Sequence, residues 1–195
     1  LIVALSESVS RAASGQHLQL TNQTCSDVEA LYVHVAVNKT GALLALPLQF
    51  ASLFNQQVAT GALAARRCGE QLGLAYQILD DLKPYAMPSK LADDEDMQNR
   101  VITAPVAACS MLFPHVDPFQ TLIKKTDMRD KATLECQRWL DTAVANARYE
   151  TTFLDQAVAR VVEQFIGQRL SQKLAPTKNA AARYSACSPR VPARV

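Results

Sequence analysis

The segment at residues 69–84, GEQLGLAYQILDDLKP, constrains this chain more than any other. At helical period Leu72, Leu74, Ala75, Ile78 and Leu79 supply an apolar side, while Gln77, Asp80 and Asp81 fall within one turn of each other near its end. Adjacent carboxylates at the end of an apolar helix are costly to bury unless something pairs with them. Their repulsion asks for a positive partner. A hard divalent cation such as Mg2+ takes oxygen ligands and commonly shares them with phosphate. A bare Asp-Asp pair would more simply be a solvated helix end, so its neighbours in the sequence have to decide.

Three further motifs accompany the pair. Gly15-Gln16 and then Asn38-Lys39-Thr40-Gly41-Ala42-Leu43 lie upstream, and Ser89-Lys90 precedes Asp94 and the run NRVITAPV at 99–106. In this order they resemble the trans-isoprenyl diphosphate synthases. In that family a Gly-Gln or Gly-Glu element and KTGxL or KTAxL precede GxxLGLAFQxxDDxLD, and GKxxGxD with TxP follows. The resemblance covers roughly residues 1–170, weakly over the C-terminal helices, and the NxxTAPV form is closest to long-chain, solanesyl-type members. Two departures stand out. Pro84 occupies the place of the family's third Asp, and the first aspartate-rich motif, N-terminal to the Gly-Gln element in the family, is absent from the sequence.

The resemblance implies the isoprenoid-synthase fold, an all-α antiparallel helix bundle with a cavity along its axis, usually as a homodimer. It implies head-to-tail condensation of isopentenyl diphosphate with an allylic diphosphate, with Mg2+ assisting ionisation. Asp80 would be a direct metal ligand and Asp81 a second or water-bridged one. Asp80, Asp81 and Lys39 would form the catalytic set, and Lys39, Thr40, Gln77 and Lys90 would bind diphosphate. The alternative is a non-catalytic or truncated homologue that acts as a regulatory subunit, forming a heterodimer with an active synthase. A terpene cyclase of the same fold fits less well, because Lys39 and the TxP segment follow the chain-elongating pattern.

The residue types suit these roles, although each has a plainer reading. Lys39 alone would be a helix-surface lysine, but an ammonium is also a compact point charge for phosphate. Thr40 adds a hydroxyl donor, and Gln77 can donate to phosphate or carboxylate without adding charge. Lys90 adjoins Asp93, Asp94, Glu95 and Asp96, by default a solvated acidic run with a surface salt bridge.

Composition narrows the class. A chain of 195 residues with 49% hydrophobic residues is one domain with room for a core, and a net charge of +2 is too small to imply nucleic acid. Cys25, Cys68, Cys109, Cys136 and Cys187 form no CxxC, and His17, His34 and His115 have no metal-ligand spacing. A reducing, cytoplasmic setting follows. Pro47, Gln49, Asn55, Gln56 and Gln57 argue against a transmembrane segment in the uncharged run 41–65, which reads as a buried core helix. The sequence opens without Met and without the basic region of a signal peptide.

Periodicity places a helix over 1–14 that ends by Leu20, and a second opened by a Ser26 N-cap with Glu29 three residues on. An interior helix follows at 43–54, kinked or interrupted at Pro47. A connection at 55–60 leads to the Asp-bearing helix from Gly61. Amphipathic helices cover 127–148 and 153–174. The expected architecture is six to eight antiparallel helices over 1–174, N-terminally incomplete, with a basic, disordered tail at 175–195.

Overall fold

The computed structural model describes residues 2–21, 27–54 and 59–170, and every regular element among them is helical. Helix α1 spans Ile2–Thr21, α2 Val28–Ala36, α3 Ala42–Phe54, α4 Ala59–Leu82, α5 Glu95–Gln98, α6 Ala104–Leu112, α7 Pro118–Lys124, α8 Thr126–Thr151 and α9 Gln156–Phe165. A π turn at Val37–Gly41 joins α2 to α3, and a second at Ile166–Leu170 extends α9. Two 3-10 turns, Lys83–Ala86 and Pro88–Asp93, carry the chain from α4 to α5. The all-α expectation is met.

Helix α4 is the central element, with α3, the first π turn, α6 and α8 packed on it. Its apolar side is the one expected: Leu72, Leu74, Ala75, Ile78 and Leu79 are buried, and Leu82 extends the stripe. Glycine allows α3 to approach closely. A Cβ on Gly69 would lie 2.2 Å from Ala45 Cα, and one on Gly73 would lie 2.3 Å from Gly41 Cα. These pairings run in opposite directions along the two chains, so α3 and α4 are antiparallel and almost in backbone contact.

Several local expectations are corrected. Helix α1 runs unbroken through Gly15 to Thr21, where the helix was expected over 1–14 and loosened at Gly15. Gly15 serves close approach, since a Cβ there would sit 2.6 Å from Lys39 N. The cap of α2 is Asp27, whose carboxylate accepts from Ala30 N at 2.9 Å; Ser26 lies outside the described residues. Helix α3 continues through Pro47, which forfeits one N–H without ending it. Helix α9 starts later than the periodicity suggested, at Gln156, where Asp155 accepts from Ala157 N at 2.8 Å. Helix α4 begins at Ala59, two residues earlier than the connection expected at 55–60 allowed, and residues 55–58 and the tail at 175–195 lie outside the described residues.

The buried stripe records the π turn. Tyr32, Ala36, Gly41, Ala45, Leu48 and Ser52 are buried, and the step from Ala36 to Gly41 is one residue longer than an α-helical turn allows. Lys39 and Thr40 occupy that widened turn. The run Val28–Phe54 is long and apolar enough to cross a membrane by length and composition; here it packs on α1 and α4. Arg11 ties α1 to both neighbours, with Nη1 2.8 Å from Glu70 Oε1 and Nε donating to Asn38 Oδ1 at 2.9 Å.

Candidate active site

The end of α4, the π turn and the segment leading into α6 enclose a cavity of about 710 Å³. Lys39, Gln77, Asp80 and Asp81 line it together, as the motifs suggested. Thr40 is not among the lining residues of this cavity, and donates from Oγ1 to Gln77 Oε1 at 2.9 Å. Lys90, on the second 3-10 turn, is exposed and is not among the lining residues. Its position depends on how Pro84 and Pro88 shape two successive tight turns, which no periodicity reports.

The two carboxylates differ sharply. Asp81 is buried, and both its oxygens are engaged: Gln77 Nε2 donates to Oδ1 at 2.8 Å, and Ala104 N, in the first turn of α6, donates to Oδ2 at 2.8 Å. Burial pushes its carboxyl up to about 6; the bonds from Ala104 and Gln77 and the nearby Tyr32 hydroxyl oppose that, and Asp96 adds to it. Tyr32 faces this carboxylate without reaching hydrogen-bond geometry, and Thr103 Oγ1 is likewise buried without a partner. Asp80 is exposed and pairs with Lys83 Nζ, whose ammonium that bond raises in turn.

Other residues of the lining escaped the motifs. Gln19 Oε1 accepts from Lys39 Nζ at 2.9 Å. Asp94, Glu95 and Asp96 line the cavity while staying solvent-accessible, as expected of the acidic run: Glu95 and Asp96 are exposed and Asp94 is half-buried. The Asp96 carboxyl is raised, chiefly by burial and then by Asp94, while Lys39 opposes the shift. The Lys83–Asp80 pair was visible as an i,i+3 spacing at the helix end. The folding-back of α5 had no such signal.

Among the described residues no three His, Cys, Asp or Glu side chains come close enough to form a closed metal site. That donor set suits Mg2+ nonetheless, because the ion usually keeps waters and takes one or two carboxylates plus substrate phosphates. Asp80 is the carboxylate placed to serve.

A second hollow, of about 510 Å³ and open on one side, adjoins the first. Ala12, Leu43, Leu44, Tyr76 and Phe165 form its apolar wall, and Gln16 and Lys39 line both hollows. Lys39 therefore stands at the border between a polar, acid-rich cavity and an apolar groove.

Comparison with known proteins bears on the family and the fold. The sequence model of the family described as Polyprenyl synthetase matches residues 1–152. Solanesyl diphosphate synthase 3, chloroplastic/mitochondrial, of Arabidopsis thaliana is 24% identical over 139 residues, which is 69% of this chain and 33% of that protein. A decaprenyl diphosphate synthase from Rhodobacter capsulatus superposes with a TM-score of 0.70 at 21% identity, over 87% of this chain and 58% of that one. A polyprenyl synthase from Roseobacter denitrificans gives a TM-score of 0.66 at 19% identity, over 87% and 62%. The likeness to the solved structures is one of fold, and the chain spans 33% of the length of the curated relative it matches.

Proposed function

This chain belongs to the polyprenyl synthetase family, and from that premise we propose that it acts in the condensation of isopentenyl diphosphate with an allylic diphosphate. The observation that carries the reading is Lys39 at the border of the two hollows. An allylic diphosphate has a polyanionic head joined to a hydrocarbon tail, and a polar cavity opening onto an apolar groove matches both ends. The ammonium sits where the two parts of such a ligand meet.

Each residue then has a physical task. Lys39 leaves Gln19 and binds the diphosphate, opposing the charge that grows on it as the C–O bond lengthens. Asp80 would hold the metal. Mg2+, when bound, supplies Lewis-acid stabilisation of the departing diphosphate. Asp81 is a positioning residue: fixed by Ala104 N and Gln77, it keeps a negative charge beside Asp80 and holds Gln77 in place. Thr40 fixes the amide of Gln77 from the other side. Leu43, Leu44, Tyr76 and Phe165 keep water from the allylic carbon.

The reading also includes association with a second synthase chain, since Ile2, Val3, Leu5 and Val9 leave one side of α1 apolar and exposed. A cytoplasmic setting is supported by the unpaired buried thiols of Cys68, Cys109 and Cys136.

A thermal melt tests the site. Mg2+ with inorganic pyrophosphate should raise the melting temperature, a stabilisation of about 2.7 kcal/mol at a hundredfold excess over Kd. Asp80→Ala should abolish the rise while leaving the ligand-free chain as stable as before. No rise in the wild-type chain would sink the assignment.

A further inference from the structure

We infer that Lys83 is a second diphosphate-binding lysine, held in reserve on Asp80 until a divalent cation takes that carboxylate. The inference rests on the site reading above and goes beyond it, because neither the motifs nor the resemblance gives position 83 a role. Lys83 lines the same cavity as Lys39. Its ammonium is bonded to Asp80, the carboxylate of the pair that faces solvent. Asp81 does not hold that ammonium: it is buried, and its oxygens accept from Gln77 and Ala104.

The charge around the cavity makes the reserve useful. Asp80, Asp81, Asp94, Glu95 and Asp96 line it, against Lys39 and Lys83. An entering diphosphate meets more carboxylates than ammoniums, and every mobile cation counts. Neither lysine is locked in place. Lys39 rests on a neutral amide oxygen, and the Lys83 and Asp80 side chains are 62% and 49% exposed. A cation binding Asp80 competes for the oxygen that holds Lys83. The freed ammonium, on a flexible four-carbon stem at the cavity wall, then turns to the nearest phosphate oxygen. One event thus neutralises a carboxylate and delivers a donor.

The plainer account is a surface i,i+3 ion pair at a helix end, of small effect on folding. Lys131 with Asp127, an exposed i,i+4 pair at 2.9 Å on α8, lies outside both hollows and serves as a control. Titration calorimetry on the full chain separates the accounts, with inorganic pyrophosphate at saturating MgCl2 and with MgCl2 alone. Lys83→Met should bind pyrophosphate roughly tenfold more weakly, the low end of what one charge-assisted hydrogen bond contributes. It should bind Mg2+ alone at least as tightly as wild type, because the competing ammonium is gone. Lys83→Arg should restore pyrophosphate binding, and Lys131→Met should behave as wild type. Unchanged pyrophosphate affinity in Lys83→Met overturns the inference. So does an equal loss in Lys131→Met, or a loss matched by a fall in melting temperature without ligand. A wild-type chain that binds no pyrophosphate at all overturns the site reading itself, and the inference with it.

Discussion

Asp80 and Asp81 share a sequence motif and almost nothing else. Position 81 follows Leu74 and Ile78 along the buried stripe, whereas Asp80 lies on the exposed line of Tyr76 and Lys83, at steps of four and three. That phase was legible in the sequence. The sequence could not say what would satisfy a buried carboxylate, because the donor from Ala104 arrives from 23 residues further on. The consequence is measurable. Burial lifts Asp81 from its ordinary 3.8 to about 6, so the folded chain binds this proton more tightly than the unfolded one. The stabilisation is full below about pH 4 and is lost as pH rises to about 6, on the order of 3 kcal/mol in all. Asp81→Asn removes that loss. In urea titrations with EDTA present, the variant should match wild type near pH 4 and exceed it at pH 7. A constant gap between the two would contradict this account of Asp81.

Among the elements, the α3–α4 contact depends on missing side chains more than on any side chain present. Gly73→Ala would drive a methyl to 2.3 Å from Gly41 Cα, and neither backbone can yield without moving a helix. The expected cost is about 1–3 kcal/mol by chemical denaturation, with the Thr40–Gln77 bond lengthened. Gly167→Ala, with nothing within 4 Å, should instead leave stability unchanged or raise it by up to about 1 kcal/mol. If both substitutions cost the same, helix approach is not what the glycines provide. Helices α1 to α4, α8 and α9 were readable from period and apolar content; α5, α6 and α7 were not among the expected helices, so the described residues hold nine α-helices where six to eight were expected. The continuation of α1 through Gly15 and of α3 through Pro47 was not readable, since tertiary packing overrode the local preference for a break.

At the scale of the molecule, the described residues present large apolar side chains to solvent. Ile2, Val3 and Val9 on α1, Phe54 on α3 and Val161 on α9 are each more than half exposed. The chain matches 58–62% of the length of the two solved synthases described above. Within the described residues a single solvent-facing carboxylate of the Asp pair is placed to hold metal, against the several donors a multi-ion diphosphate site needs. The purified 195-residue chain should therefore bind Mg2+–pyrophosphate yet incorporate little or no labelled isopentenyl diphosphate by itself. Robust turnover would show that one such carboxylate suffices. At this scale the sequence conveyed the fold class and the meeting of Lys39, Gln77, Asp80 and Asp81. The exclusion of Lys90 and the inclusion of Asp94, Glu95 and Asp96 depended on loop geometry, which leaves no periodic trace.

The π turn at Val37–Gly41 holds one residue more than a continuous α-helix would. Deleting Asn38 would let the run close into uninterrupted α-helix with regular bonding. It would also rotate everything before the turn by about 100° relative to α3, one residue's worth of helical phase. Gly15 and Gln19 on α1 would no longer meet the segment that carries Lys39. Local regularity and the site pull in opposite directions here. The property that a working chain must keep constant in this segment is its length, ahead of the identity of any one of its side chains.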